Sequence, residues 1–418
     1  MGKNWLMRIT AKHKFFDTIL LFLLVFSSGG LLFAFHRNLF SVILFSLSIF
    51  SLLFMGKKLS KLVFNNSLFT FLLFCFIIIF NYVYSPGNQS YIKYAFHLLN
   101  VTSCIFIVTH FSSNRDSSYF LQRMKWILRI SLYYSICNFL FYILVKNSLT
   151  QIIFNNDKVL YTFNHIFFYN PVRSSFNVLG IDFVRNQGWF WEPGINQIYL
   201  NILLYLEGFV FKRNKWIILL TVFAIFTTYS TTGIIIMMIV LFFIFLSSIK
   251  QNPILIFLAI IMLFPFYLIV KSNIEEKLDT YSFQKRYFDL IQTISITKDY
   301  PLTGIGLDDI YFSEFRSNHF INDNFLNSFE ESTNLELRAK STDKGSSNSV
   351  TYLILSTGIP ISFFLIYCLF RQVLFKHRKW IFMTVIFISV FSEPLLLRPF
   401  FLMLIVSGMM SFFSKFTK

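Results

Sequence analysis

Residues 216–249 read WIILLTVFAIFTTYSTTGIIIMMIVLFFIFLSSI, 34 positions without one charged side chain. A helix rises about 1.5 Å per residue, so the roughly 30 Å hydrocarbon core of a bilayer takes about 20 apolar residues to cross. Thirty-four are too many for one crossing. The block is interrupted at Thr227–Gly233, a cluster of Thr, Tyr, Ser and Gly that suits a tight re-entry. The stretch therefore predicts two spans, 216–230 and 231–249.

Working outward, similar runs recur at roughly 15–35, 39–55, 62–84, 92–111, 126–145, 189–211, 253–270, 350–370, 380–394 and 399–414. With the first pair they make twelve. Hydrophobic residues form 55% of the 418 and charged residues 14%, against about 25% charged in a soluble domain. This composition excludes a soluble enzyme, a disordered tail and a disulfide scaffold. The four cysteines (Cys75, Cys104, Cys137, Cys368) lie in apolar stretches without zinc-ligand spacing and read as small buried hydrophobes. The expected fold is an all-α polytopic integral membrane protein with about twelve transmembrane helices.

Charge placement sets the orientation. With the N-terminus in the cytoplasm, alternating spans place 20 of the 37 cations in short inner segments. These include Lys57, Lys58 and Lys61; Arg123 and Lys125; Lys212, Arg213 and Lys215; and Arg371, Lys376, Arg378 and Lys379. The short outer turns are nearly bare of cations, as positive-inside sorting requires. The net charge of +17 is thus an orientation signal, and no nucleic-acid partner is expected. The N- and C-termini are both cytoplasmic and the lipid bilayer is the first partner. The chain divides into 1–270 with nine spans and an outer loop at 146–188, a long extracytoplasmic loop subdomain at 271–349, and 350–418 with the last three spans. The 271–349 segment is polar and mixed, with thirteen acids and nine bases, and it suits short helices.

Charges at the edge of spans are costly and mark function. Arg185-Asn-Gln-Gly-Trp-Phe-Trp-Glu192-Pro193 enters a span from outside, with Asn196 and Tyr199 on the same helical face as Glu192. Glu192 could instead simply complement the helix dipole. Ser392-Glu393-Pro394 ends one span and Arg398-Pro399 opens the next, where Glu393 and Arg398 could also form a structural pair. Lys285-Arg286 lies in an amphipathic stretch leading to Pro301-Leu-Thr-Gly-Ile-Gly306. Ser346-Ser347-Asn348-Ser349 precedes a span and also reads as an ordinary N-cap. Under the expected topology Arg185, Glu192, Arg286, Asn348, Glu393 and Arg398 all reach the outer membrane surface. Several guanidinium groups at one depth suit a diphosphate, which they bind by bidentate charge-assisted bonds. Neither a Walker A loop, a Gly-x-Gly-x-x-Gly nor a metal-ligand motif occurs, so no metal and no cofactor is expected. The seven histidines are scattered and read as structural or exposed.

These pieces, in order across 185–394, resemble the bacterial O-antigen and capsular polysaccharide repeat-unit polymerases (Wzy-type). The first 180 residues resemble that family only in hydropathy. The resemblance implies a GT-C-like helical glycosyltransferase of the bacterial cytoplasmic (inner) membrane, acting at its outer face. Its donor would be a glycan on undecaprenyl diphosphate and its acceptor a lipid-linked repeat unit. It implies partners in the same pathway, a chain-length regulator and a flippase. In that chemistry Arg286 and Arg185 stabilise the leaving diphosphate, with Arg398 as runner-up. Glu192 is the first choice for general base and Glu393 the second, while Asn348, Asn196 and Tyr199 line the glycan. The related O-antigen ligases carry a His-Asn pair before the corresponding span. Here that His is Ser347, which favours polymerase over ligase and leaves the base open. A lipid-linked oligosaccharide flippase is the rival from another class; it would show repeat symmetry and midplane charges, and the sequence has neither.

Overall fold

The computed structural model describes residues 2–54, 59–114, 117–154, 158–171, 175–178, 181–247, 271, 281–322, 324, 328, 346 and 348–414. The expected span 253–270 lies outside them. In chain order the helices are α1 (Gly2–Phe26), α2 (Leu31–Phe35), α3 (Arg37–Phe54), α4 (Lys61–Tyr84), α5 (Tyr91–Asn114), α6 (Ser117–Val145), α7 (Pro193–Tyr205), α8 (Lys215–Thr227), α9 (Thr231–Leu246), α10 (Tyr281–Asp299), α11 (Asp309–Asn322), α12 (Ser349–Phe370), α13 (Lys379–Ser392) and α14 (Pro399–Phe413). Among the described residues five stretches are long and apolar enough to cross a membrane: Arg37–Phe54, Lys61–Tyr84, Tyr91–Ser112, Ser118–Ser148 and Ser349–Phe370. Along α4, Leu72, Phe76 and Ile79 are each more than half exposed. A continuous apolar face of this kind belongs in lipid.

The 216–249 block breaks where its composition predicts. α8 stops at Thr227, Tyr229 takes a left-handed turn (φ 47°), and the Ser230 hydroxyl caps α9 by accepting the Gly233 amide at 3.3 Å. At about 1.5 Å per residue both helices are shorter than the roughly 30 Å core. The first apolar run also breaks. α1 ends at Phe26, and the chain turns through Ser27–Gly30 before α2.

The all-α expectation needs one correction. The 146–188 segment holds five short strands: β1 (Thr150–Phe154), β2 (Lys158–Phe163), β3 (Phe167–Tyr169), β4 (Ser175–Val178) and β5 (Ile181–Val184). β1-β2-β3 form one antiparallel sheet and β4-β5 a hairpin. The residues explain it: Thr, Ile, Val, Tyr and Phe dominate, and such side chains favour pleated backbone. Asn164 (φ 49°) and His165 (φ 56°) take the left-handed turn between β2 and β3. Tyr169, Val145 and Val184 form a small core, and the Tyr169 hydroxyl donates to the Asn138 carbonyl of α6 at 3.0 Å.

The chain folds as two interleaved units. The first comprises Met1–Arg37, Ser118–Ile274 and Phe375–Ser389; the second comprises Asn38–Ser117, Glu275–Leu374 and Val390–Lys418. Each has a central helix begun by proline. In the first unit α7 is buried at every position and packs on α8 and α9. In the second, α14 is buried from Pro399 to Met410 and packs on α4, α5 and α12. Proline suits the first helical position, where its missing N–H costs nothing.

Within the second unit, α12 is broken at Gly358 (φ 77°, ψ 171°), two residues before Pro360. The break releases backbone groups that lipid cannot satisfy. The segment 301–306 satisfies them. Ile305 N–H donates to Leu355 O (2.7 Å), Gly306 N–H to Ser356 O (3.1 Å), and Ile359 N–H to Pro301 O (2.8 Å). Asn81 of α4 donates through Nδ2 to both Thr303 O and Ser356 O at 2.8 Å. Backbones this close exclude side chains: a Cβ on Gly304 would lie 2.3 Å from Leu355 O, and one on Gly358 2.3 Å from Leu302 O.

Candidate functional site

The second unit gathers four of the eight residues singled out in the sequence around one turn, Ser392–Arg398. Ser349, the first residue of α12, lashes this turn down. Its hydroxyl donates to Glu393 O (2.5 Å) and accepts from Leu395 N–H (2.6 Å) and Leu396 N–H (2.9 Å). Arg286, exposed near the start of α10, reaches the same turn through Nη2 to Ser392 O at 3.4 Å. Glu393 is half-buried within the turn. Arg398 is the N-cap residue of α14, yet its side chain makes no capping bond. Asn348 is buried and caps α12, its Oδ1 accepting Thr351 N–H at 2.8 Å.

This turn concentrates charge: Arg398, Arg286 and the Glu393 carboxylate share it. A helix N-terminus carries about half a positive charge. The starts of α12 and α14 meet here, and Arg398 adds a full cation to one of them. A cation at that end of a helix calls for an anion nearby, and the Glu393 carboxylate stands on the same turn. Arg286 on the same turn adds a second guanidinium.

His97 completes this end of the unit. On α5, Cys104 donates to Pro399 O at 3.2 Å. His97 is seven residues earlier, on the same helical face, and Arg398 stands close enough for its charge to act on His97 and on Tyr352. The His97 Nε2 meets Leu307 O at 3.1 Å, a bond that requires the proton on Nε2. Nδ1 then presents its lone pair, and it has no hydrogen-bond partner among the described residues. Leu307 is held in turn by Tyr94, whose hydroxyl accepts Leu307 N–H (2.9 Å) and donates to Asn81 (2.7 Å). The Asp308 carboxylate caps α11 and accepts Ser90 N–H at 2.9 Å. Asp309 pairs with Lys93 at 2.6 Å. Sequence reading passed over His97, Tyr94 and Asn81 because it searched spans for charge. The usable signal was uncharged polar residues at helical spacing inside apolar runs.

The first unit holds the other four. Arg185 donates through Nε to Thr228 O (3.0 Å), at the break between α8 and α9. Asn186 clamps the same break from its backbone N–H to Thr227 O (2.9 Å) and from Nδ2 to Thr227 Oγ1 (2.9 Å) and Ser135 O (2.9 Å). Asn196 donates to Asn186 O (3.2 Å) and accepts the Ser135 hydroxyl (3.1 Å). Tyr199 is buried, stacks on Phe190 at 4.7 Å and points its hydroxyl at Val25 O, 3.4 Å away. Asn196 and Tyr199 thus spend their polar atoms inside the fold. Trp189 and Trp191 pair their backbones with Leu31 and Gly29, in the break after α1. Arg37 lies over the Trp191 ring at 5.5 Å. Glu192 is exposed at the N-cap of α7 and makes no capping bond. Ser347 lies outside the described residues.

No group of three or more His, Cys, Asp or Glu side chains forms a metal site among the described residues. Residues 216–366, a little over a third of the chain, match the family model described as O-antigen ligase. The match covers Arg286, the 301–306 segment, Asn348 and the α12 break. It supports membership of the O-antigen ligase and polymerase superfamily, whose members are membrane glycosyltransferase-like enzymes. No curated protein and no solved structure matches the chain.

Proposed function

We propose that this chain is a polysaccharide polymerase. It transfers a growing glycan from undecaprenyl diphosphate onto a lipid-linked repeat unit at the outer face of the cytoplasmic membrane. The observation that carries this reading is the Ser392–Arg398 turn, where two helix N-termini, Arg398 and Arg286 converge. In the reaction an acceptor hydroxyl attacks the anomeric carbon and the carbon–oxygen bond to the diphosphate breaks. The leaving diphosphate takes the electron pair. Cations fixed beforehand at that point stabilise the developing charge more than the ground state, at about 3–4 kcal/mol for one such contact.

His97 is the base in this reading. Its Nδ1 accepts the hydroxyl proton while the Leu307 carbonyl holds the ring in the required tautomer. Glu393, on the same turn, orients the acceptor. Asn348 works through α12: its cap holds the helix end on which Ser349 fixes the turn.

Ligase is the second reading, because the matched family is described by that activity. Donor and bond chemistry are shared; the acceptor differs. Purified protein given lipid-linked repeat units alone decides between them. A polymerase lengthens the glycan on its lipid carrier. A ligase leaves those units unchanged until a lipid A core or protein acceptor is added. Arg398→Ala should lower the rate of lengthening about 100-fold, the size of one lost electrostatic contact. Lengthening at the wild-type rate in that variant would remove the phosphate-clamp role.

A further inference from the structure

An open groove of about 340 Å³ runs between α1 and α6 in the first unit. Both helices change from charged to apolar there. On α1 the apolar run follows Lys14 and is interrupted by the buried Asp17, and on α6 it follows Lys125 and is interrupted by Arg129, which pairs with Glu207 at 2.6 Å. The mouth of the groove carries Lys14 and Arg123. Its floor is apolar, with Ile19 and Phe22 from α1 and Ile127 from α6.

Arg123 is the informative residue. Its guanidinium lies over the Tyr119 ring at 5.2 Å, and its buried Nε has no hydrogen-bond partner among the described residues. Asp17 is fully buried and accepts the Tyr119 hydroxyl at 2.8 Å. Phe15 and Trp126 flank the groove at 70% and 53% exposure. Aromatic residues so exposed, beside cations at an apolar boundary, fit the level of lipid headgroups.

We propose that this groove is a binding site for one anionic glycerophospholipid. The phosphodiester sits between the Lys14 ammonium and the Arg123 guanidinium, and an acyl chain lies along Ile19 and Phe22. A zwitterionic headgroup would set its ammonium beside two protein cations, so the site prefers a headgroup without one. Residues of the polymerase chemistry are not involved, so the proposal stands or falls separately from that reading.

The test uses the full-length protein in nanodiscs of phosphatidylglycerol and phosphatidylethanolamine at one to four. Bound lipid is counted by native mass spectrometry, and Trp fluorescence is quenched with brominated phosphatidylglycerol. Wild type should retain phosphatidylglycerol well above its bulk share. The double variant Lys14→Gln/Arg123→Gln should lose that preference by roughly 30-fold, as two interfacial cations predict. Arg123→Lys, which keeps the charge, should retain most of it and serves as the control for folding. Part of the quenching should vanish in Trp126→Phe. The proposal is overturned if wild type retains the two lipids at their bulk ratio, or if the double variant keeps the preference. It is equally overturned if millimolar inorganic phosphate displaces the brominated lipid, because the site would then read phosphate alone.

Discussion

Ser349 makes three hydrogen bonds with one hydroxyl, and all three end on the turn that carries Glu393 and leads to Arg398. Ser349→Ala leaves the Leu396 N–H without an acceptor, while the Leu395 N–H keeps the Glu393 carbonyl at 2.9 Å. About 1–3 kcal/mol of local stability should go with that unmet group, and catalysis should fall with it because Arg398 is no longer held. Thermal unfolding in detergent and the rate of glycan lengthening check both outcomes. Ser349→Thr keeps the hydroxyl and should recover most of the loss. His97 allows a sharper test. His97→Gln can still donate to Leu307 O but has no basic nitrogen, so its rate should drop by about 10²–10⁴ with little change in stability. A stable His97→Gln protein with full rate would move the base elsewhere. At this scale Arg286, Glu393 and Arg398 were legible in the sequence, because charge at a span edge is expensive and conspicuous. Ser349 and His97 were not, because neither a serine before a helix nor a lone histidine distinguishes itself from caps and packing.

Two elements explain motifs that the sequence only juxtaposes. The 301–306 segment and the Gly358 break are one structure, since each supplies the backbone partners the other lacks. Gly304→Ala or Gly358→Ala would force a Cβ within 2.3 Å of a carbonyl oxygen. Both positions also require positive φ (65° and 77°). Each substitution should therefore cost more than about 2–3 kcal/mol and lower the melting temperature measurably. A wild-type melting curve for either would contradict the pairing. A second element-level test concerns α10 and α11. Asp289 and Arg316, each 1% exposed, pair at 2.5 Å, and Gln292 holds Arg316 Nε at 2.6 Å. Removing one partner leaves a buried charge, so Asp289→Leu should destabilise by about 3–5 kcal/mol. Asp289→Leu/Arg316→Met should be less harmful than that single change, which a comparison of unfolding midpoints reads directly. The strands in 146–188 escaped the sequence reading because it assigned every polar outer segment to loop. Their Thr, Ile, Val, Tyr and Phe content carries the strand signal.

For the whole molecule, composition and charge placement were the legible part. Fourteen per cent charged residues and long apolar runs force a bilayer, and the broken 216–249 block shows how closely composition follows the helix ends. The interleaving of the chain into two units was not legible. It depends on which helices meet, and apolar runs of similar length carry little information about their neighbours. Each unit nevertheless repeats one device: a charged residue at the N-cap, a proline after it and a helix buried along all or most of its length. The central claim is that this membrane protein lengthens a lipid-linked glycan using the Ser392–Arg398 turn. The measurement that tests it most directly is the surface-glycan ladder of a strain lacking the gene, complemented with wild type or with Arg398→Ala inserted to the same level. The account predicts a ladder collapsed to single repeat units, restored by wild type and not by the variant. An unchanged ladder in the deletion strain, or full restoration by Arg398→Ala, would contradict it.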